Sequence, residues 1–167
     1  MSGRIDAVAA ARADRLRARR EARDPGLWAL LDDVLDPEVP VLSLWELGVL
    51  QDVYHDDAEV VVVMTPTYSG CPAMEAMEEA VRARLREAGH PNVRIVRRLS
   101  PAWTTDWLSG EARRALVAHG IAAPGAVECP QCGSPRVSSI SQFGSTACKA
   151  LYRCDDCGEP FDVFKSH

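Results

Sequence analysis

No stretch of this chain approaches the ~20 consecutive apolar residues that a membrane-spanning helix requires, and the N-terminus lacks the apolar core of a secretory signal. The expected home is therefore the cytoplasm, with no membrane partner. A basic excess is missing too. Nineteen Lys and Arg against 24 Asp and Glu leave a net charge of −5, which argues against nucleic acid as a partner for the chain as a whole. The segment around Phe143 does not fit a phosphate-binding loop, because the glycine spacing and the strand-to-helix setting are missing. At 167 residues the chain has room for one ordinary domain and a small module. In a reducing compartment its six cysteines point to metal binding or thiol chemistry, not to a disulfide framework.

Four of those cysteines carry the most specific motif. Cys129-Pro130-Gln131-Cys132-Gly133 and Cys154-Asp155-Asp156-Cys157-Gly158 are two knuckles, with 21 residues between Cys132 and Cys154. Four thiolates converging on a tetrahedral ion make a structural zinc site, with iron as the alternative for the same ligands. Glycine after each pair lets backbone amides turn toward the sulfurs. A closed four-cysteine site leaves no open coordination position, so the metal serves stability and not chemistry. Arg136, Lys149, Arg153 and Lys165 face five acids in this segment, Glu128, Asp155, Asp156, Glu159 and Asp162. That balance favours docking to protein over nucleic acid. Between the knuckles lies a fifth cysteine, Cys148, a possible additional thiol that either approaches Cys71 in the fold or in a dimer, or is a plain hairpin-tip residue.

The second focus is Thr65-Pro66-Thr67-Tyr68-Ser69-Gly70-Cys71-Pro72. It follows the β-branched run Glu59–Met64, a buried strand, and precedes a helix from Pro72 whose Met74, Met77, Val81 and Leu85 share one face. With Pro72 at the first helical position, Cys71 falls at or just before the N-cap, where unpaired amides and the helix dipole favour thiolate. A thiolate binds a soft metal or attacks an electrophile. The competing reading is an inert cysteine buried as a small hydrophobe.

The remaining elements follow from capping and periodicity. Residues 1–24 form an arginine-rich extension, helical or mobile, with few large apolar residues. Asp24-Pro25 opens a helix running to Leu35, stopped by Pro37. Asp36 and Glu38 put two carboxylates in the next loop, suited to a hard metal or to iron; capping of the neighbouring turn is the alternative. Residues 49–54 and 58–64 make a hairpin about a turn at residues 55–57, and residues 93–99 add a strand parallel to the second. Trp103 and Trp107 pack in the core, form a lid over the Cys71 loop, or anchor a partner. The expected fold is α/β: a small mixed sheet with flanking helices over residues 25–121, a linker at 122–126, and a four-cysteine zinc ribbon over 127–167.

Asp36-Pro37-Glu38-Val39-Pro40, Leu47-Gly48, Thr65-Pro66-Thr67 with Gly70-Cys71-Pro72, and Pro101-Ala102-Trp103-Thr104 together resemble the small α/β family of iron–sulfur assembly factors that includes SufT. With the ribbon and Phe143-Gly144-Ser145-Thr146-Ala147-Cys148-Lys149, nearly the whole chain resembles the PaaD family of bacterial phenylacetate degradation. That resemblance implies an accessory protein, not an enzyme, needed by the multicomponent phenylacetyl-CoA ring epoxidase in maturing its metal centres. It implies that Cys71 is the reactive cysteine, surrounded by Asp36, Glu38, Thr65 and Thr67. Nothing carries over to residues 1–24.

One thiolate cannot hold an iron–sulfur cluster tightly, since ordinary clusters take four protein ligands. A transient carrier uses that deficiency, with a second copy of the chain or a small thiol completing the coordination. The expected cofactors are thus zinc and a transient iron–sulfur cluster or iron, and the expected client is the reductase or the oxygenase component. Two rival readings stand beside this one: a protein-binding adaptor in which Cys71 is inert, and a thiol-dependent oxidoreductase, for which no resolving cysteine or base is evident.

Overall fold

The computed structural model describes residues 2–165, with side chains from residue 9 onward. The chain forms two compact units, Met1–Trp107 and Leu108–His167. The first is organised on a three-stranded sheet of order β1-β2-β3, with β1 at Leu50–Asp56, β2 at Glu59–Met64 and β3 at Val93–Arg97. β1 and β2 run antiparallel, with Val53 opposite Val62, and β2 and β3 run parallel, with Val62 opposite Ile95. The expected mixed sheet is therefore present. Paired on both edges, β2 is buried from Val60 to Met64, which is why it reads as an unbroken apolar run.

Its crossover to β3 is the helix α4, Met74–Glu87, whose Met74, Met77, Val81 and Leu85 are all buried as their spacing implies. The hairpin is tighter than expected. β1 continues through His55 and Asp56, and the chain reverses at Asp57, which takes a left-handed φ of 51°.

α2, Pro25–Leu31, begins as its sequence dictates, with Asp24 Oδ1 accepting from the amides of Gly26 (3.0 Å) and Leu27 (3.3 Å). It stops at Leu31, one turn before the expected Leu35. The physical reason is competition for backbone partners: the Asp36 amide donates to the Leu42 carbonyl (3.0 Å) and the Leu44 amide to the Val34 carbonyl (2.9 Å). Those bonds hold residues 34–36 extended, and Leu35 is left 47% exposed.

The short helix α3, Leu44–Leu47, carries a full capping box between Ser43 and Glu46 and ends at Gly48 with φ 85°. A Cβ on Gly48 would stand 3.2 Å from both Trp103 Nε1 and Trp107 Cβ. Trp103 Nε1 donates to the Leu47 carbonyl (2.9 Å), and both tryptophans are buried. Core packing is the reading of this pair that the structure supports.

The N-terminal segment is helical, the first of the two expected alternatives: α1 spans Ser2–Arg20. Most of its described residues are exposed, but two arginines tie it to the sheet unit. Arg15 is 6% exposed: its Nε donates to the Leu50 carbonyl (3.1 Å), its Nη2 to the Trp45 carbonyl, and its guanidinium lies 3.7 Å from the centre of the Trp45 ring. Arg19 stacks on the same ring at 4.7 Å and pairs with Asp32. Cation–π and charge-assisted contacts thus dock the helix where aliphatic residues are scarce. Burial, reinforced by Arg19 and Arg12, lowers the Arg15 pKa to about 9. The side chains of Ile5 and Val8 lie outside the described set.

The second unit contains α5, Gly110–Ala118, and a four-stranded sheet of order β4-β7-β6-β5. Its strands are β4 at Ile121–Ala122, β5 at Val137–Ser141, β6 at Lys149–Cys154 and β7 at Pro160–Phe164. β4 pairs in parallel with β7, Ile121 opposite Asp162, while the other pairs are antiparallel. That pairing draws α5 and β4 into the ribbon unit, so the division falls at Trp107/Leu108, ahead of the expected linker at 122–126. Among the described residues no helix is long and apolar enough to cross a membrane.

Candidate metal centre and thiol site

Covalent spacing alone brings each pair of ribbon cysteines together, and the β5-β6-β7 sheet brings the two pairs to one point. The sulfurs of Cys129, Cys132, Cys154 and Cys157 all lie within 4.8 Å of one another, with Cys129 to Cys157 at 3.7 Å and Cys132 to Cys154 at 3.6 Å. A tetrahedron built on Zn–S bonds of about 2.3 Å has edges of about 3.8 Å, so the donor set fits zinc. The turns that close the knuckles use Gly133 at φ 74° and Gly158 at φ 82°. The Gly133 amide donates to the Cys129 carbonyl (2.8 Å), the Gly158 amide to the Cys154 carbonyl (3.0 Å), and the Cys157 amide points at Cys154 Sγ (3.5 Å). Cys129 and Cys154 are buried in a small core with Ala122, Phe161 and Val163. Among the described residues, these cysteines are the one group of three or more His, Cys, Asp or Glu whose ligand atoms converge in this way.

Cys71 sits in the first unit, in the connection from β2 to α4. The helix begins later than expected: its N-cap is Ala73, with no side-chain cap, so Cys71 and Pro72 belong to the preceding turn. The Cys71 amide donates to the Tyr68 carbonyl (3.1 Å), and the Cys71 carbonyl accepts from the Met74 amide (3.3 Å). The residue is half-buried. Two donors reach its sulfur, the backbone N–H of Ala73 and the hydroxyl of Thr67, while the carboxylates of Glu38 and Asp36 are close enough to act on it.

The expectation of a ready thiolate is corrected by these surroundings. Burial pushes the Cys71 thiol up, the two hydrogen bonds oppose that push, and the two carboxylates add to it. The net direction is upward, because desolvation and negative neighbours outweigh two donors. In the absence of a cation the sulfur keeps its proton at neutral pH.

Asp36 is buried, and its Oδ1 accepts from the amides of Glu38 (2.8 Å) and Val39 (2.7 Å). It therefore does cap its own turn, the turn that contains Glu38. Thr65, just past the end of β2, is buried; its amide donates to the Val49 carbonyl (2.8 Å), and its hydroxyl has no hydrogen-bond partner. The structure thus gathers Asp36, Glu38 and Thr67 about Cys71. The contribution missed in the sequence is the Ala73 amide, a backbone donor that no side-chain pattern announces. Cys148 belongs to the other unit, buried, with its Sγ 3.0 Å from Thr146 Oγ1.

Two family descriptions match the chain: "Iron-sulfur cluster assembly protein" over residues 26–96, which hold Cys71 and its neighbours, and "PaaD zinc beta ribbon domain" over residues 117–165. A protein of Escherichia coli strain K12, named as a subunit of 1,2-phenylacetyl-CoA epoxidase, is 47% identical over 149 residues, 83% of this chain and 90% of that protein. The chain belongs to the PaaD family. Its assembly-type unit has wider relatives. An Fe-S protein maturation auxiliary factor of Porphyromonas gingivalis is 36% identical over 85 residues, half of this chain and 80% of that one. A crystal structure of a domain of unknown function, DUF59, from Bacillus anthracis is 29% identical with a TM-score of 0.51, covering 57% of this chain and 92% of that chain. Both of these relatives cover only part of this chain.

Proposed function

We propose that this protein is an accessory factor that assists assembly of an iron–sulfur or di-iron centre in a phenylacetyl-CoA epoxidase. Cys71 takes part in handing over the metal, and the zinc ribbon docks the client. The relatives named as an epoxidase subunit and as a maturation factor support the coarse role. The observation that carries the finer reading is the setting of Cys71: a half-buried sulfur with two hydrogen-bond donors and two carboxylates around it. Such a site holds no proton tightly once a cation arrives, and it lacks the ligand set needed to keep one. Iron or a partly coordinated cluster is therefore cargo, bound through one thiolate with help from Asp36 and Glu38 and released to a client with full coordination.

A thiol oxidoreductase needs a lowered cysteine pKa and a resolving thiol or base, and the upward shift of Cys71 runs against it. The adaptor reading, with Cys71 inert, draws on that same upward shift. Cells carrying Cys71→Ser separate the two surviving readings. Loss of epoxidase activity together with loss of iron from the purified client is expected. Full activity and full client iron in the variant would overturn the handover role and leave the adaptor.

A further inference from the structure

The segment joining β5 to β6 is held more firmly than a solvent-exposed loop needs to be. The Phe143 amide donates to Ser141 Oγ (3.1 Å), the Gly144 amide to the Lys149 carbonyl (2.8 Å), and the Lys149 amide to the Thr146 carbonyl (3.1 Å). From the neighbouring strand, Asp162 accepts from the Ser145 amide (3.2 Å) and from the Ser145 hydroxyl, and it pairs with the buried Lys149 (3.7 Å). Lys165 Nζ donates to the Ala147 carbonyl (2.9 Å). Gly144 is required by close approach: a Cβ there would run into Asp162 Oδ1, with the Ala150 carbonyl carbon 3.2 Å away.

This framework presents apolar surface to water. Phe143 is 68% exposed and Ile140 is 55% exposed. Residues 139–148 carry no charge, although charged residues make up 26% of the chain. An exposed aromatic on a pre-ordered loop that lacks charge has the composition of an interface centre, where a rigid aromatic anchor loses little entropy on binding. The neighbouring cation sets the partner's chemistry. Lys165 Nζ stands 4.3 Å from the centre of the Phe143 ring, while the Asp162 carboxylate is occupied by Ser145 and Lys149.

We propose that Phe143, with Ile140 three residues before it and Lys165 at its rim, is the anchor by which the ribbon enters an apolar pocket bordered by carboxylates on a folded partner protein. The proposal rests on the reading of the ribbon as a docking module and names the part of it that makes contact.

Full-length, zinc-loaded protein is titrated against purified subunits of a phenylacetyl-CoA epoxidase by biolayer interferometry, as wild type, Phe143→Ser and Lys165→Glu. Zinc content and amide protection of β5, β6 and β7 confirm that each variant is folded. Phe143→Ser is expected to weaken binding about tenfold or more. Lys165→Glu is expected to weaken it too and to reverse the salt dependence, a readout that loss of packing alone does not move. If wild type binds and both variants bind within about twofold of it, the anchor is overturned, while the accessory role that binding reflects is untouched. If wild type binds no subunit, the docking reading falls and takes the anchor with it. Should Phe143→Ser instead abolish self-association in sedimentation, or binding to a single-stranded RNA, the occupant named here is wrong.

Discussion

Removing the ribbon metal tests how much of the second unit that metal holds together. The core packed about the cysteines consists of Ala122, Cys129, Cys154, Phe161 and Val163, and two of these five are metal ligands. Burial of Phe161 and Val163 contributes about 1.5–3 kcal/mol each, whereas a structural four-ligand zinc site contributes roughly 10–16 kcal/mol of apparent binding free energy at neutral pH. Within this cluster the metal is the larger contribution, while Leu116, Ile121 and Phe164 are buried elsewhere in the unit. Cys132→Ser, or chelation of the wild-type protein, should reduce zinc from about one per chain to near zero and abolish amide protection across β5, β6 and β7. The first unit closes its own core around Val61, Val62, Met77, Val81 and Leu85, so protection of β1–β3 and α4 should persist. Hydrogen exchange read by mass spectrometry, with zinc counted colorimetrically on the same sample, decides the matter. Ribbon amides that stay protected after the metal has gone would refute the reasoning, because they would show that the apolar core suffices.

Arg15→Ala should release α1, costing about 1–3 kcal/mol through loss of its carbonyl bonds and its contact with Trp45; faster amide exchange confined to α1 is the expected signature. Alkylation of Cys71 by iodoacetamide should be slow at neutral pH and accelerate with a midpoint above that of an ordinary cysteine, since burial and two carboxylates raise its pKa. Glu38→Gln deletes one of those negative charges and should move the midpoint of that pH–rate profile downward; an unmoved or higher midpoint would remove Glu38 from the sulfur's surroundings. Gly48→Ala combines a left-handed φ of 85° with a Cβ at 3.2 Å from Trp103 Nε1. It should destabilise the first unit by about 2 kcal/mol or more in urea titrations.

Features set by short-range spacing are legible in the sequence. The convergence of Cys129, Cys132, Cys154 and Cys157 follows from two Cys-x-x-Cys-Gly repeats, and α4 follows from four apolar residues on one face. The mixed sheet follows from a strand, a helix and a strand in succession. What escapes depends on partners far away along the chain. Arg15 reads as a solvated cation until the Trp45 ring and the Leu50 carbonyl arrive to receive it. Leu35 reads as helical because periodicity cannot see the bonds that Leu42 and Leu44 make with residues 34–36. The protonation of Cys71 escapes for the same reason. The helix dipole is visible from local sequence, but burial comes only with the fold, and the carboxylates that add to it come from a loop more than thirty residues earlier.

Each unit buries an interior of its own, so damage to one can be assayed separately from the other. If the proposed roles hold, a substitution that unravels the four-cysteine unit should leave the Cys71 unit folded, giving a courier without an address. Supplying the missing half as a separate polypeptide is then a sensible way to ask whether address and courier must be covalently joined.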